Sequence, residues 1–133
     1  MAKFDKDARY PRPRIEKLGV KPGSRVAVLG LQDAAFFDEL KERGATVVKR
    51  FGKGLDFVFV AMSTREDLPR LAKLRDAVHP AGAVWVIWPK GGKEFREDDI
   101  RAYGPKAGLV DVKVMAFSDT LSALKMVIPV KER

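Results

Sequence analysis

The stretch that decides the fold is SRVAVLGLQDAAFF, residues 24–37. Its apolar, β-branched part at 25–29 has the composition of a strand that is buried on both faces. Gly30 follows this strand, and Asp33 is placed to cap the amphipathic helix that comes next. Gly44 is suited to the C-terminal end of the same helix. The stretch therefore predicts a strand, a tight glycine turn and a helix.

Strand and helix patterns alternate along the rest of the chain. Further strands are predicted over 45–51, 55–62, 83–89, 110–117 and 123–130. A single helical turn is predicted within 15–20, and a longer helix over 63–78, where Ser63 and Glu66 have capping-box spacing. A further helix is predicted over 96–108, interrupted at Gly104 and Pro105. We expect a three-layer α/β/α, Rossmann-like fold with a mostly parallel sheet of about six strands and an antiparallel C-terminal hairpin.

One connection conflicts with this simple pattern. Only the three residues 52–54 separate the second predicted strand from the third. A parallel crossover needs a longer connection than this. We therefore expect these two strands to form a hairpin or to be joined by a compact turn.

The composition restricts the class of protein. A chain of 133 residues is one domain by size. It contains no cysteine, which excludes thiol catalysis, disulfide bonds and thiolate metal sites. No apolar run approaches the ~20 residues that cross a bilayer, and the first residues lack the apolar core of a signal peptide. We therefore expect a cytoplasmic protein of bacterial type with no membrane association.

Positive charge is concentrated at the start of the chain. The protein has a net charge of +8, of which residues 1–25 supply +5 from eight basic and three acidic side chains. We expect a basic arm over 1–14, ahead of a single domain over 15–133. Such an arm is a solubilising tail, a weak and non-specific binder of nucleic acid, or a segment that packs on the domain or on a second subunit of a homodimer.

Four stretches of the chain resemble known proteins. They are LGVKPGSRVAVLG at 18–30, DFVFV at 56–60, HPAGAVWVIWPK at 79–90 and AGLVDVKVMAFSDTLSALKMVI at 107–128. Through them the chain resembles a bacterial family known as a domain of unknown function. It is also similar to a shortened form of the class I S-adenosylmethionine-dependent methyltransferase fold. The resemblance spans roughly 15–130 and implies S-adenosylmethionine as the cofactor to be tested.

The chain departs from that family at three cofactor contacts. The family has a glycine-rich turn after its first strand, whereas residues 30–35 here contain Gly30 alone. The family has an acidic residue at the end of its second strand, whereas Lys49 and Arg50 stand there in this chain, and neither side chain can accept a hydrogen bond. A strand and helix pair is also missing between residues 50 and 56. These departures predict an eroded cofactor site.

The fold class also predicts where a ligand would bind. In open α/β sheets, ligands bind beyond the carboxyl ends of the strands where the strand order reverses, which here is between the first and third strands. The candidate crevice residues are Gly30, Gln32, Asp33, Met62, Ser63, Thr64, Trp88 and Lys90. Each of three of these residues also has an explanation without a ligand. Ser63 can serve as a helix cap, Trp88 as an aromatic residue of the core or its rim, and Lys90 as a solvated loop residue.

Two functional hypotheses follow for this crevice. The first is a non-catalytic domain that binds a partner or a small ligand. The second is an enzyme or sensor that binds a nucleotide or an acidic metabolite, with Lys49 and Arg50 as candidate anion-binding residues; as an enzyme it would be a methyltransferase-type transferase. No residue is assigned a catalytic or metal-binding role, since the single histidine, His79, is predicted in a turn at the opposite end of the sheet.

Overall fold

The computed structural model describes residues 12–50 and 52–133 of the chain. The predicted arm therefore lies outside the described residues as far as residue 11, and so does Phe51 at the end of the second predicted strand. The boundary between arm and domain stays a prediction.

Six strands and four α-helices form the described part of the chain. The strands are β1 (Arg25–Leu29), β2 (Thr46–Val47), β3 (Leu55–Ala61), β4 (Val78–Pro89), β5 (Val110–Ala116) and β6 (Leu121–Val127). The α-helices are α1 (Arg14–Lys17), α2 (Ala34–Arg43), α3 (Leu71–Ala77) and α4 (Glu97–Tyr103). Short 3₁₀ helices cover Arg65–Arg70, Gly104–Ala107 and Val130–Glu132.

The strands form one sheet in the order β2-β1-β3-β4-β6-β5. The first four strands are parallel to one another, and β6 pairs antiparallel with both β4 and β5. This arrangement confirms the predicted Rossmann-like α/β fold, including the antiparallel hairpin at its C-terminal side.

Two apolar layers cover the sheet. On the face that we call the α1–α2 face, the buried side chains include Leu18, Phe36, Leu40, Phe59 and Trp85. On the opposite α3–α4 face, they include Val58, Val60, Leu71, Ile100 and Leu124. Alternate residues of β3 thus enter opposite cores, which explains why the strand is apolar throughout 57–61.

The predicted second strand is much longer than the one that forms. Only Thr46–Val47 pairs with β1, not 45–51, and it does so in parallel. Because β2 and β3 both pair parallel with β1, the connection between them is not a hairpin. A strand rises about 3.3 Å per residue, so the chain has only a short distance to cover from the end of this two-residue strand back to the start of β3. The connection is a parallel crossover whose described residues, 48–50 and 52–54, contain no helix or strand.

The predicted second helix also differs. Over 63–78 the chain forms the 3₁₀ helix Arg65–Arg70 and then α3. Pro69 lies within the first of these; it has no N–H to donate and its ring disfavours the α-helical contact with the carbonyl four residues earlier. The capping box is formed by Thr64 and Asp67, not by the predicted pair of Ser63 and Glu66, because the helix begins one residue later.

Strand β4 begins at Val78 rather than at residue 83. His79 is therefore the second residue of a strand and not a turn residue, although it is exposed as expected. The register with β3 shifts between Leu55 and Phe57, which lets Pro80 enter the strand at an irregular position.

Candidate functional site

The candidate site is the edge of the sheet where β1, β3 and β4 end and where β6 begins, which we call the carboxyl edge. The chain leaves β1 for β2 on one side and returns to β3 on the other side of β1. The reversal of strand order that was predicted between the first and third strands is therefore present. Ligands of open α/β sheets bind beyond such a point.

The turn after β1 is built around Gly30. Its φ is +72°, and a Cβ built on it would lie 3.6 Å from the Cβ of Ala61. A left-handed backbone here favours glycine. Leu31 then enters the core and Gln32 is exposed. The glycine therefore serves the turn, and no further glycine opens the backbone to a ligand.

Asp33 is fully engaged within the protein. One carboxylate oxygen accepts the backbone N–H of Phe36 at 3.0 Å, which caps α2. The other accepts a hydrogen bond from Nη1 of Arg14 at 3.2 Å. The predicted cap is therefore confirmed, and the ion pair adds a second use of the same carboxylate.

Arg14 joins α1 to the loops of the carboxyl edge. Its guanidinium pairs with Glu39 through two nitrogens, donates to the carbonyl oxygen of Phe117 at 3.0 Å, and lies 4.5 Å from the centroid of the Phe117 ring. Burial alone would lower the pKa of Arg14, but hydrogen bonds and charges from Glu39 and Asp33 raise it. Arg14 was predicted to belong to the arm, because its partners lie 19 to 103 positions away in the sequence.

Ser63 and Thr64 lie at the end of β3 and do present polar groups to this edge. Their backbone N–H groups donate to Oδ2 of Asp67 at 3.0 and 3.2 Å. The N–H of Ser63, followed by that of Thr64, holds the pKa of the Asp67 carboxyl below its usual value. A backbone anion site after β3 is therefore occupied by the protein's own carboxylate.

After β4, too, a backbone N–H group donates to the carboxylate of an aspartate in the helix that follows. The backbone N–H of Arg96, just before α4, donates to Oδ2 of Asp99 at 2.8 Å. This hydrogen bond, together with the nearby Arg65 side chain at 3.3 Å, holds the pKa of Asp99 below its usual value. In the described residues, α2, the 3₁₀ helix after β3 and α4 thus each have an aspartate that accepts a backbone N–H at the N-terminal end: Asp33 as the N-cap of α2, and Asp67 and Asp99 from within the other two.

Met62 and Trp88 lie at strand ends but not in an open crevice. Their exposed fractions are 2% and 5%, and both pack in the core of the α3–α4 face. Lys90 is exposed, and its backbone N–H donates to the carbonyl oxygen of Thr120 at 2.9 Å. Of the predicted crevice residues, the structure therefore brings Ser63 and Thr64 into contact with an open cleft.

Two adjoining clefts open at the ends of β3 and β4. A cleft of about 360 Å³ is lined by Ser63, Thr64, Arg65, Glu66 and Glu94. A second of about 270 Å³ is lined by Ser63, Pro89, Gly92, Lys93, Glu94 and Phe95. Glu94 lines both clefts, although it was not among the predicted crevice residues. Its position in the loop that directly follows a buried parallel strand could have identified it as a candidate, because ligands bind at the ends of such strands.

The residues after β2 carry no acid. Val48 donates its backbone N–H to the carbonyl oxygen of Val26 at 2.8 Å, and Lys49 and Arg50 follow as exposed cations. The acidic residue that the methyltransferase resemblance implies is thus replaced at this place by positive charge.

Metal and membrane sites find no support in residues 12–50 and 52–133. No group of three or more histidine or acidic side chains in this part of the chain is arranged to hold a metal ion. His79 lies at the opposite edge of the sheet, where its Nδ1 accepts the N–H of Ala81 at 3.0 Å. Among the helices described, none has the length and apolar character needed to cross a membrane.

The fold is shared with several solved structures. No protein-family model matches the chain, and no curated protein matches it. A SAM-dependent methyltransferase from Aquifex aeolicus matches with a TM-score of 0.67 and 14% identity over 86% of this chain and 87% of that one. The chain has a methyltransferase-like Rossmann fold. A ribosomal protein L11 methylase from Lactobacillus delbrueckii matches with a TM-score of 0.65 and 13% identity over 86% and 74%.

A third structure spans nearly the whole chain. The TehB-like SAM-dependent methyltransferase from Corynebacterium glutamicum matches with a TM-score of 0.58 and 11% identity over 96% of this chain and 95% of that one. Identities this low show the fold alone. The sequence-based resemblance to the methyltransferase fold is therefore confirmed at the level of the fold, and the activity is a separate question.

Proposed function

We propose that this protein is a non-catalytic, methyltransferase-like domain that binds a partner or a small ligand at the clefts of the carboxyl edge. The observation that carries the proposal is the capping of this edge by Asp33, Asp67 and Asp99. The backbone N–H groups of Phe36, Ser63, Thr64 and Arg96, which could otherwise bind the anionic part of a cofactor or substrate, already donate to a carboxylate. An incoming anion would have to displace this carboxylate and would be repelled by its negative charge.

The residues around β1 and β2 support the same conclusion. The turn at Gly30 lacks further glycines, and its one carboxylate, Asp33, pairs with Arg14. Lys49 and Arg50 provide donors where a ribose would need an acceptor. A cofactor with ribose hydroxyls and a carboxylate would thus lose favourable contacts at both of its ends.

The clefts favour a ligand that is neutral or zwitterionic. Their polar lining combines two hydroxyl side chains, Ser63 and Thr64, with acidic Glu66 and Glu94 and basic Arg65 and Lys93. Mixed charge of this kind orients a ligand that carries both signs or none, and its balance of two acidic and two basic side chains gives a strongly anionic ligand no net attraction. A nucleotide or phosphorylated metabolite is therefore the weaker alternative.

Two measurements test the proposal. Incubation with S-adenosylmethionine labelled in its methyl group should transfer no label to any component of a cell extract, and transfer would overturn the non-catalytic assignment. A thermal-shift screen should then find stabilisation by neutral or zwitterionic metabolites or by a protein partner, since a ligand at 100 times its Kd adds about 2.7 kcal/mol.

The cleft assignment has its own matched pair of variants. Glu94→Gln removes a charge that lines both clefts, and Glu42→Gln removes one from α2, away from them. We expect the first variant alone to alter the ligand-induced shift. Equal shifts in the two variants, or stabilisation by nucleotides only, would contradict the proposed site.

A further inference from the structure

Three residues form a row across the antiparallel side of the sheet. Trp85 of β4 lies opposite Lys125 of β6, which in turn lies opposite Lys113 of β5. Residues that are directly opposite on neighbouring strands point to the same face and lie about 4.5–5.5 Å apart at Cβ. Since Trp85 is in the core of the α1–α2 face, the two lysines project on that face, side by side.

This pairing is electrostatically unfavourable. Like charges directly opposite each other destabilise a sheet. Lys125 is half-buried, and its burial followed by the charge of Lys113 lowers its pKa. Lys113 and Lys125 therefore lie directly opposite each other on neighbouring strands, where their like charges repel.

The described part of the chain supplies no counter-charge for them. Every ion pair in residues 12–50 and 52–133 has an arginine as its cation. Nζ of Lys113 donates to the carbonyl oxygen of Lys17 at 2.9 Å, at the end of α1. That bond uses one of its three donors and holds the ammonium group at the end of α1, on the same face as Lys125.

A local irregularity creates the arrangement. In a regular strand Asp111 and Lys113 would share a face, where they would neutralise each other. The register of β5 against β6 shifts between these two residues. Asp111 instead pairs with Arg101 of α4 on the opposite face, at 3.0 Å, and Lys113 is left with Lys125.

We propose that Lys113 and Lys125 bind a phosphate group on the α1–α2 face of the hairpin formed by β5 and β6. A phosphate presents several acceptor oxygens and enough negative charge to neutralise both ammonium groups. Strand β6 begins at the carboxyl edge with Leu121, and Lys125 lies four residues further along the strand. The phosphate site is therefore separate from the clefts of the proposed function, and it does not depend on them.

The phosphate has two possible sources, which share this chemistry. It belongs either to a small phosphorylated ligand or to a nucleic-acid backbone. Pyrophosphate, followed by isothermal titration calorimetry in a phosphate-free buffer, probes the first source. A fluorescent DNA oligonucleotide, followed by anisotropy, probes the second, and its affinity should fall steeply with salt.

Matched variants decide whether these lysines form the site. Lys113→Gln and Lys125→Gln each remove one ammonium group, and Lys73→Gln removes one from the exposed side of α3. We expect each hairpin variant to weaken binding of the relevant probe about tenfold, while the α3 variant binds like the wild type. Equal affinity in all four proteins, or no binding of either probe to the wild type, would overturn the proposal.

Thermal stability provides an independent readout. Without phosphate, Lys125→Gln should raise the Tm by about 2 °C because it removes the repulsion between the two lysines. Added pyrophosphate or DNA should raise the Tm of the wild type more than that of the variant at the same probe concentration, because the variant binds the probe more weakly. A variant that melts below the wild type, and that responds to the probes as the wild type does, would assign Lys125 a purely structural role.

Discussion

Arg14 and Asp33 form an ion pair at 3.2 Å that ties the first helix of the domain to the turn after its first strand. The Arg14 side chain is 17% exposed and also pairs with Glu39. Removing it would leave two carboxylates without their cation and would remove the contact with the Phe117 ring. This residue is therefore a structural anchor of the carboxyl edge.

The first prediction concerns this anchor. Arg14→Ala should lower the free energy of unfolding by about 2 kcal/mol, because it breaks a partly buried ion-pair network. Arg14→Lys should recover only part of the loss, since an ammonium group cannot form the two-nitrogen pair with Glu39. Urea unfolding measures both. Arg12→Ala, at an exposed position, is the control, and a loss below about 0.5 kcal/mol for Arg14→Ala would contradict the prediction.

The second prediction concerns the cap formed by Asp67. Asp67→Asn should cost about 1 kcal/mol at neutral pH, since the carboxylate accepts the N–H groups of Ser63 and Thr64. The pKa of Asp67 is lowered in the folded protein from an ordinary value of 3.8. Its stabilisation is therefore complete above that value and disappears as the pH falls through the lower, folded pKa.

Urea unfolding of the wild type and Asp67→Asn over a range of pH provides the check. The difference in stability between the two proteins should be constant from neutral pH down to about pH 5 and should shrink in more acidic solution. A difference that persists unchanged in acid would show that the carboxylate charge is not what stabilises this turn.

The outline of the fold could be predicted from the sequence, because strands that are buried on both faces consist of continuous apolar residues. The strand at 25–29 and the helix that begins after Asp33 and ends at Gly44 have the predicted bounds. Hydrophobic period and capping chemistry are local, so they can be recognised in a single sequence.

The site was less predictable, because it depends on contacts between distant residues. Arg14 meets Phe117 across 103 positions of the chain, and nothing near Arg14 in the sequence indicates this. The register shift in β5 similarly reverses the face that alternation assigns to Lys113. Trp88 was a candidate for the crevice with core packing as its alternative, and the structure places its side chain in the core.

The third prediction concerns the close approach of β3 and β4 at Gly82. A Cβ built on Gly82 would lie 2.7 Å from the carbonyl oxygen of Asp56 and 2.9 Å from that of Leu55. Both are backbone atoms of a central strand and cannot move aside. Gly82→Ala should therefore destabilise the protein by about 2 kcal/mol. Gly52→Ala, where a Cβ would meet nothing within 4 Å, should be close to neutral, and equal melting temperatures for the two variants would contradict the packing argument.

The last prediction separates the basic arm from the anchor that follows it. Removal of residues 1–11 deletes Lys3, Lys6 and Arg9 with two aspartates, whereas removal of residues 1–14 also deletes Arg14. The longer truncation should be less stable than the shorter one by at least the ~2 kcal/mol expected for Arg14→Ala, because it also removes Pro13, whose carbonyl oxygen accepts the N–H groups of Glu16 and Lys17.

Urea unfolding of the two truncated proteins measures this difference, and DNA anisotropy on the same samples measures the arm's contribution to nucleic-acid binding. If the arm binds phosphate groups without sequence preference, the salt dependence should already flatten in the shorter truncation. Equal stability of the two proteins would show that Arg14 does not hold α1 to the domain, and the anchor assigned to it would then be wrong.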